Sequence, residues 1–278
     1  MTPLECSYPL GLDVKPKNSS GNQTHRVDVS CGRCKECRIN RQSAWTGRIL
    51  LETQMHLSSY VVTLTYDDLH HTGNLDYDDV QRWLKRLRKR LPFKLRYFVA
   101  GEIGKITQRA HWHALLFGID LSQIPPKQII DGSVLSWGAG HIFVDSIRPE
   151  AARYVTKYCM KKADDPDDPA FAHMSLKPGI GMTYIDWMGE RLANQYPRLE
   201  SADLIQYLHI DGKRYVLDRY TRNRLIETYR KSGGVVEDKP YNPASAELLH
   251  FLIRMGSLDF HDRRNSAYAR IRSKRLLT

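Results

Sequence analysis

Between residues 34 and 162 the apolar positions switch repeatedly between a period near 3.6 and a period of two, so helices and strands interleave there. A helix is predicted from Cys34 to about Leu57, with Ile39, Trp45, Ile49 and Leu50 on one broad face. Tyr60–Tyr66 (YVVTLTY) is β-branched and aromatic and reads as a strand. Asp76 is placed to cap a second helix whose Val80, Trp83, Leu84, Leu87 and Leu91 follow helical spacing. Arg96–Glu102, His111–Phe117 and Ile142–Asp145 read as further strands. Pro149 and Glu150 then open a helix running to about Lys162. Residues 10–26, rich in Lys, Asn, Ser and Gly, read as a loop, and so does Asp164–Pro169. Beyond 166 the pattern is less regular, with a short helix expected at 246–256 and a basic tail after Arg263.

The expectation is an α+β fold with a central antiparallel sheet and helices. Three segments are expected: an N-terminal segment 1–57 holding cysteines and a helix, a core 58–165, and an extension 166–278. The 278 residues, 41% of them hydrophobic, suffice for one large packed domain with additions. The formal charge of +11 favours a polyanionic partner. No apolar run of membrane-spanning length occurs, and MTPLECSYPLGLDVK lacks the pattern of a secretory signal. Five cysteines without an export signal point to a reducing compartment.

His111 and His113 flank Trp112 in an apolar strand, so both imidazoles project from one face. Glu102 ends the preceding strand, and a hairpin through Gly104–Arg109 would bring its carboxylate alongside. Two imidazoles and a carboxylate make a mixed site with open positions, suited to Mg²⁺ or Mn²⁺ against a phosphate. The alternative is one buried, satisfied histidine beside an incidental one. On the predicted helix Tyr154 and Tyr158 are four residues apart and share a face, and Lys157 and Lys161 form an adjoining stripe. Ammonium groups favour the phenolate and bind phosphate, whereas tyrosines alone on a helix commonly just pack on a core.

Arg82, Lys85, Arg86, Arg88, Lys89, Arg90, Lys94 and Arg96 lie in one stretch without an acid. Phosphate neutralisation and a solvated helix face are equally good readings of it. The tail residues Arg263, Arg264, Arg270, Arg272, Lys274 and Arg275 invite the same reading. Cys31, Cys34 and Cys37 form C-x₂-C-x₂-C; with Cys6 they make a four-thiolate set for structural zinc, the alternative being free thiols. Cys159 reads as core.

VTLTY (62–66), GEIG…HWHALLFG (101–118) and YVTKYCMKK (154–162), in that order, resemble the three motifs of HUH endonucleases, with Trp112 as the bulky residue between the histidines. The doubled tyrosine resembles the replication initiators of small single-stranded DNA phages, the Microviridae. CGRCKECRINRQSAW (31–45), TLTYDDLH (63–70) and MSLKPGIG (174–181) look like the gokushovirus branch. The resemblance implies an RRM/ferredoxin-like core and a metal held by Glu102, His111 and His113. It implies that a tyrosine attacks the scissile phosphate and retains the 5′ end, leaving a 3′-hydroxyl for rolling-circle replication. It also implies viral origin DNA and host replication machinery as partners, in the cytoplasm of an infected bacterium. An HUH enzyme of plasmid, relaxase or transposase type is the nearest alternative. A non-enzymatic zinc-containing DNA-binding protein is a more distant one, because it leaves the histidines and tyrosines unused.

Overall fold

The structure, a computed structural model, describes residues 4–14, 24–104, 108–119, 135–157, 171–199, 207–210 and 212–236. The fold is α+β, built on a five-stranded antiparallel sheet. Its strands are β3 (Ser59–Tyr66), β4 (Arg96–Ile103), β5 (Ala110–Phe117), β6 (Gly140–Ser146) and β7 (Phe171–Met174), in the order β6-β3-β5-β4-β7. Taken in chain order, β3 to β6 occupy the positions of the four strands of a ferredoxin-like sheet, and β7 adds an edge. β4 and β5 are joined by a tight hairpin in which the Gly104 and Gln108 amides donate to the Arg109 and Gly104 carbonyls, both at 2.8 Å.

Helix α1 (Lys35–Gln54) precedes the sheet, and α2 (Tyr77–Arg90) crosses between β3 and β4. Asp76 caps α2 as expected, its carboxylate accepting from the Asp78 amide at 2.9 Å. Asp78 and Asp79 in the first turn and Arg88, Lys89 and Arg90 in the last complement the helix dipole. Helix α3 (Pro149–Lys157) follows β6. The part of the predicted helix beyond Lys157, with Tyr158, Cys159 and Lys161, lies outside the described residues, as do Asp164–Pro169, the 246–256 segment and the basic tail.

The two sheet faces carry separate cores. On one, Val80, Trp83, Leu84 and Leu87 of α2 pack on Val62, Leu64, Val99, Trp112, Ala114 and Leu116. Gly101 is opposite Trp112 in register, and a Cβ there would stand 2.8 Å from the indole, so only glycine leaves room for the ring. On the other face, Phe98, Ala100, Leu115 and Phe117 meet Ile49, Leu50 and Leu51 of α1 and side chains from beyond residue 180.

The region beyond 166 is more ordered than its pattern suggests. It contains α4 (Met182–Gln195) and α5 (Arg219–Lys231), the hairpin β9 (Tyr207–Ile210)–β10 (Lys213–Val216), and a short parallel pair, β8 (Arg198–Leu199) with β11 (Val235–Val236). Residues 10–26 are likewise not all loop. β1 (Leu10–Val14) pairs antiparallel with β2 (His25–Val29), and every residue of β1 is exposed, which is why no burial pattern announced it.

A buried ionic knot ties α1 to the sheet and to the approach to α4. The Glu52 side chain is 1% exposed and accepts from Arg96 and, at 2.7 Å, from the Gly181 amide, with His56 Nε2 at 3.0 Å. Arg96 also donates to the carbonyls of Pro178 (2.9 Å) and Gly179 (3.2 Å). Burial alone would raise the Glu52 pKa, but the hydrogen bonds from His56, Arg96 and Gly181 outweigh it and hold the carboxyl at about 2.

Candidate functional site

Register decides which side chains meet. In the β4–β5 pair His111 is opposite Glu102 and His113 opposite Ala100; in the β3–β5 pair they are opposite Thr65 and Thr63. Strand alternation therefore sends Thr63, Thr65, Glu102, His111 and His113 to one face and Trp112 to the other. Trp112 is fully buried there and its indole N–H donates to the Tyr66 hydroxyl at 3.2 Å.

Each imidazole is held through Nδ1. Thr65 Oγ1 lies 3.0 Å from His111 Nδ1 and Thr63 Oγ1 lies 3.2 Å from His113 Nδ1. With Nδ1 bound to a threonine, Nε2 is the nitrogen left for a further partner, a common arrangement behind metal-binding histidines. His113 Nε2 is 3.3 Å from Glu102 Oε1. Burial, with the neighbouring His113, lowers the His111 pKa, which favours the neutral imidazole and its lone pair.

Helix α3 closes one side of this cluster. The Tyr154 hydroxyl donates to Glu102 Oε1 at 3.3 Å, and its ring stands edge-on to His113 with centroids 5.3 Å apart. α1 sets the helix position. Gln42 Nε2 donates to the Arg153 carbonyl at 2.8 Å, and the Thr46 and Thr156 hydroxyls are 2.9 Å apart in the interior. Ala152, Val155 and Thr156 are buried, while Arg153, Tyr154 and Lys157 face outward. Of the four predicted tyrosine-helix residues, Tyr154 and Lys157 are thus placed, and only Tyr154 is seen in contact with the histidine cluster.

The basic stretch is elsewhere. Because α2 covers the Trp112 face, Arg82, Lys85, Arg86, Arg88, Lys89 and Arg90 lie exposed on the opposite side of the sheet from the histidines. Arg82 is paired with Asp79, Arg86 donates to the Trp137 carbonyl at 2.7 Å, and Arg88 lies 5.0 Å over the Tyr97 ring.

The four N-terminal cysteines come together. All four Sγ atoms lie within 4.8 Å of one another, with Cys6–Cys34 at 3.8 Å and Cys31–Cys37 at 4.0 Å. These distances far exceed a disulfide bond of about 2.05 Å and approach the edge of a tetrahedron with zinc–sulfur bonds of about 2.3 Å. Backbone amides of Cys31, Arg33, Cys34 and Cys37 donate to sulfur at 3.3–3.4 Å. The amides of Arg33 and Cys34 bring the Cys31 pKa down to about 6, whereas burial pushes the Cys37 thiol up to about 12. The group can hold a metal ion such as zinc. Among the described residues it is the one set of three or more Cys, His, Asp or Glu donors gathered this closely; the donors of Glu102, His111 and His113 are spread wider.

Residues 59–163, which contain the whole histidine–glutamate–tyrosine cluster, match the family model for replication-associated proteins of the ORF2 type. The chain is similar to phage replication-associated proteins. It is 30% identical over 179 residues to replication-associated protein VP4 of Bdellovibrio phage phiMH2K, covering 56% of this chain and 57% of that protein. It is 31% identical over 152 residues to replication-associated protein ORF4 of Chlamydia phage 1, covering 48% of this chain and 38% of that protein. With replication-associated protein ORF2 of Spiroplasma virus 4 it shares 25% identity over 217 residues, 69% of this chain and 67% of that one. The chain's matches thus span under two thirds of the length of the first two relatives. No solved structure matches it.

Sequence reasoning passed over Thr63 and Thr65, the partners of the two imidazoles. The signal was present: the threonines of TLT alternate with the same period as the histidines of HWH, so in antiparallel register the pairs must share a face. Gln42 and Thr46, which hold α3, carried no comparable signal, because both are polar and do not stand out from the solvated positions of α1.

Proposed function

We propose that this protein is a rolling-circle replication initiator that nicks single-stranded viral origin DNA and stays joined to the 5′ end through a tyrosine. The observation that carries the reading is the Tyr154 hydroxyl on Glu102, against His113, on the face that also presents His111. A phenol is a poor nucleophile at neutral pH, and a carboxylate already accepting its hydrogen bond is placed to draw off the proton as the oxygen attacks phosphorus. The bond from phosphorus to the 3′-oxygen breaks, and that oxygen leaves as a hydroxyl. One phosphodiester is exchanged for another, so rejoining needs no nucleotide cofactor. The donor set of two imidazoles and a carboxylate, braced by Thr63 and Thr65, fits a divalent ion. Mg²⁺ or Mn²⁺ held by Glu102, His111 and His113 would supply positive charge to the phosphate oxygens. Lys157, with Lys161, neutralises phosphate and favours the phenolate. The basic face of α2, behind the sheet, serves DNA beyond the scissile phosphate.

The core 58–165 carries the chemistry, and the flanking segments 1–57 and 166–278 brace it through the core shared by α1, α4 and the sheet. Phage relatives named for replication support origin DNA and host replication machinery as partners, acting inside an infected bacterium. Among the described residues no helix is long and apolar enough to cross a membrane.

Tyr158 is the second nucleophile of this scheme, needed when Tyr154 is occupied by DNA. Tyr154→Phe and Tyr158→Phe should each still nick once and form a covalent adduct with labelled origin DNA, yet fail to release closed circles. The double Phe variant should form no adduct. If one single variant loses all cleavage and the other releases circles at the normal rate, the alternating scheme is wrong.

The thiol cluster is a structural zinc site in this scheme. It joins both ends of the β1–β2 pair to the start of α1, beside the Leu4–Asn40 and Ser7–Glu36 hydrogen bonds. Protein purified under reducing conditions without chelator should contain one zinc per chain by elemental analysis, and Cys31→Ser should lose it. Metal-free protein with an intact hairpin would show the thiols to be merely free cysteines.

A further inference from the structure

One aromatic ring on the histidine face has no part in the chemistry just described. Cross-strand register sets Ala100, His113, Thr63 and Phe143 in one row, and Glu102, His111, Thr65 and His141 in the next. Both rows project from the same face. Along the first row burial falls away sharply: His113 is 7% exposed and Phe143 is 67% exposed. β6 is an edge strand, but it is not detached, since Ile142 packs into the core on the opposite face. The ring of Phe143 is therefore held out in water by a strand anchored from behind.

Its position relative to the candidate site matters more than its exposure. Tyr154 of α3 meets Glu102 on β4 and His113 on β5, so these contacts lie on the β4–β5 side of the sheet, and β3 and β6 form the other side. Phe143 stands on that side, two strand spacings or about 10 Å from His113. This is the reach of one or two nucleotides of an extended strand. Between them lie only the threonines, which are small. His141 beside Phe143 is exposed, and Asp145, further along β6, has Arg148 at 3.8 Å to offset its charge.

We propose that Phe143 is a stacking platform for a nucleobase next to the scissile phosphate, so that the single strand crosses the sheet from the histidines to β6. The inference rests on the nicking function proposed above. A phenyl face stacks on any base, so the platform fixes the path of the strand and not its sequence.

The test is equilibrium binding of the full chain to a fluorescein-labelled oligothymidylate without added Mg²⁺ or Mn²⁺, where no cleavage is expected. Phe143→Ala should weaken binding about 5- to 100-fold, the loss expected for one stacked base. Phe143→Trp should bind at least as tightly as wild type, and Phe143→Leu should behave like Ala, since apolarity without a π-face is not enough. The salt dependence of binding should keep its slope in all three, because no phosphate contact is lost. Wild-type affinity in Phe143→Ala, rescue by Leu, or an altered salt slope would each overturn the platform while leaving the nicking proposal standing. A wild-type chain that binds no single-stranded DNA would remove both.

Discussion

A His111→Ala/His113→Ala variant is expected to leave single-stranded origin DNA uncut in Mg²⁺ or Mn²⁺, while melting within a few degrees of wild type. The fold should survive because β5 is anchored from the other face. Trp112, Ala114 and Leu116 are fully buried in the α2 core, and the hydrogen-bond ladders to β3 and β4 do not use the imidazoles. What is lost locally is two threonine hydrogen bonds, each worth about 1 kcal/mol, together with the His113–Glu102 hydrogen bond and the His113–Tyr154 ring contact. The chemistry should not survive. Stabilising charge on a transferring phosphate is worth several kcal/mol, which is roughly 10³-fold or more in rate. Glu102→Gln should fall between the two, since the amide keeps an oxygen but loses the charge and the base. The check is a gel assay with end-labelled DNA over a metal titration, beside a thermal melt. Cleavage at the wild-type rate by the double variant would remove the histidines from the site.

Glu52→Gln should be the most damaging substitution to stability, at about 3–5 kcal/mol, because it leaves the Arg96 guanidinium buried without a countercharge. The effect should depend on pH in a defined direction. The carboxyl titrates at about 2 in the folded protein against 4.5 for the ordinary value, so the folded state binds its proton less readily than the unfolded chain. The resulting stability, about 3 kcal/mol, is fully present above pH 4.5 and lost as pH falls toward 2. Urea melts of wild type and variant should therefore differ most at about pH 7 and converge only as pH falls to about 2. A gap that stays constant across this range would mean that the charge of Glu52 contributes nothing and only its shape matters.

Four of the five strands of the sheet, β3 to β6, and helices α1, α2 and α3 were legible because each buries one face and its sequence keeps the period of that face, whereas the four-residue β7 was not. Trp83, Leu84 and Leu87 could only be one side of a helix, and HWHALLF only a strand. α4 was not read as a helix although Thr183, Asp186, Glu190 and Asn194 form a polar stripe opposite Ile185, Met188 and Leu192, because its start at Gly181 has no side-chain cap to mark it. α5 gave little signal because it is mostly polar, with Leu225 and Tyr229 among its few buried positions. The histidines and Glu102 could be placed together from sequence because their spacing is local or set by one hairpin, whereas Tyr154, 52 residues from Glu102, was named only from its spacing on its own helix. The side of the sheet taken by α2 could not, since it depends on which face of β3 and β5 the crossover covers. The basic stretch was therefore readable as charge but not as location. The knot of Glu52, Arg96 and the Gly181 amide joins positions 44 to 129 residues apart, and no local pattern encodes such a distance.

β5 is a strand with two different contents, imidazoles on one side and an indole on the other, and its partners read both at once. Inserting or deleting a single residue upstream of Trp112 within the strand would exchange the sides. The indole would stand where phosphate is to be held, and two imidazoles would enter an apolar core. The strand thus tolerates no change of length. A change of length between β4 and β5, outside both strands, would alter neither side.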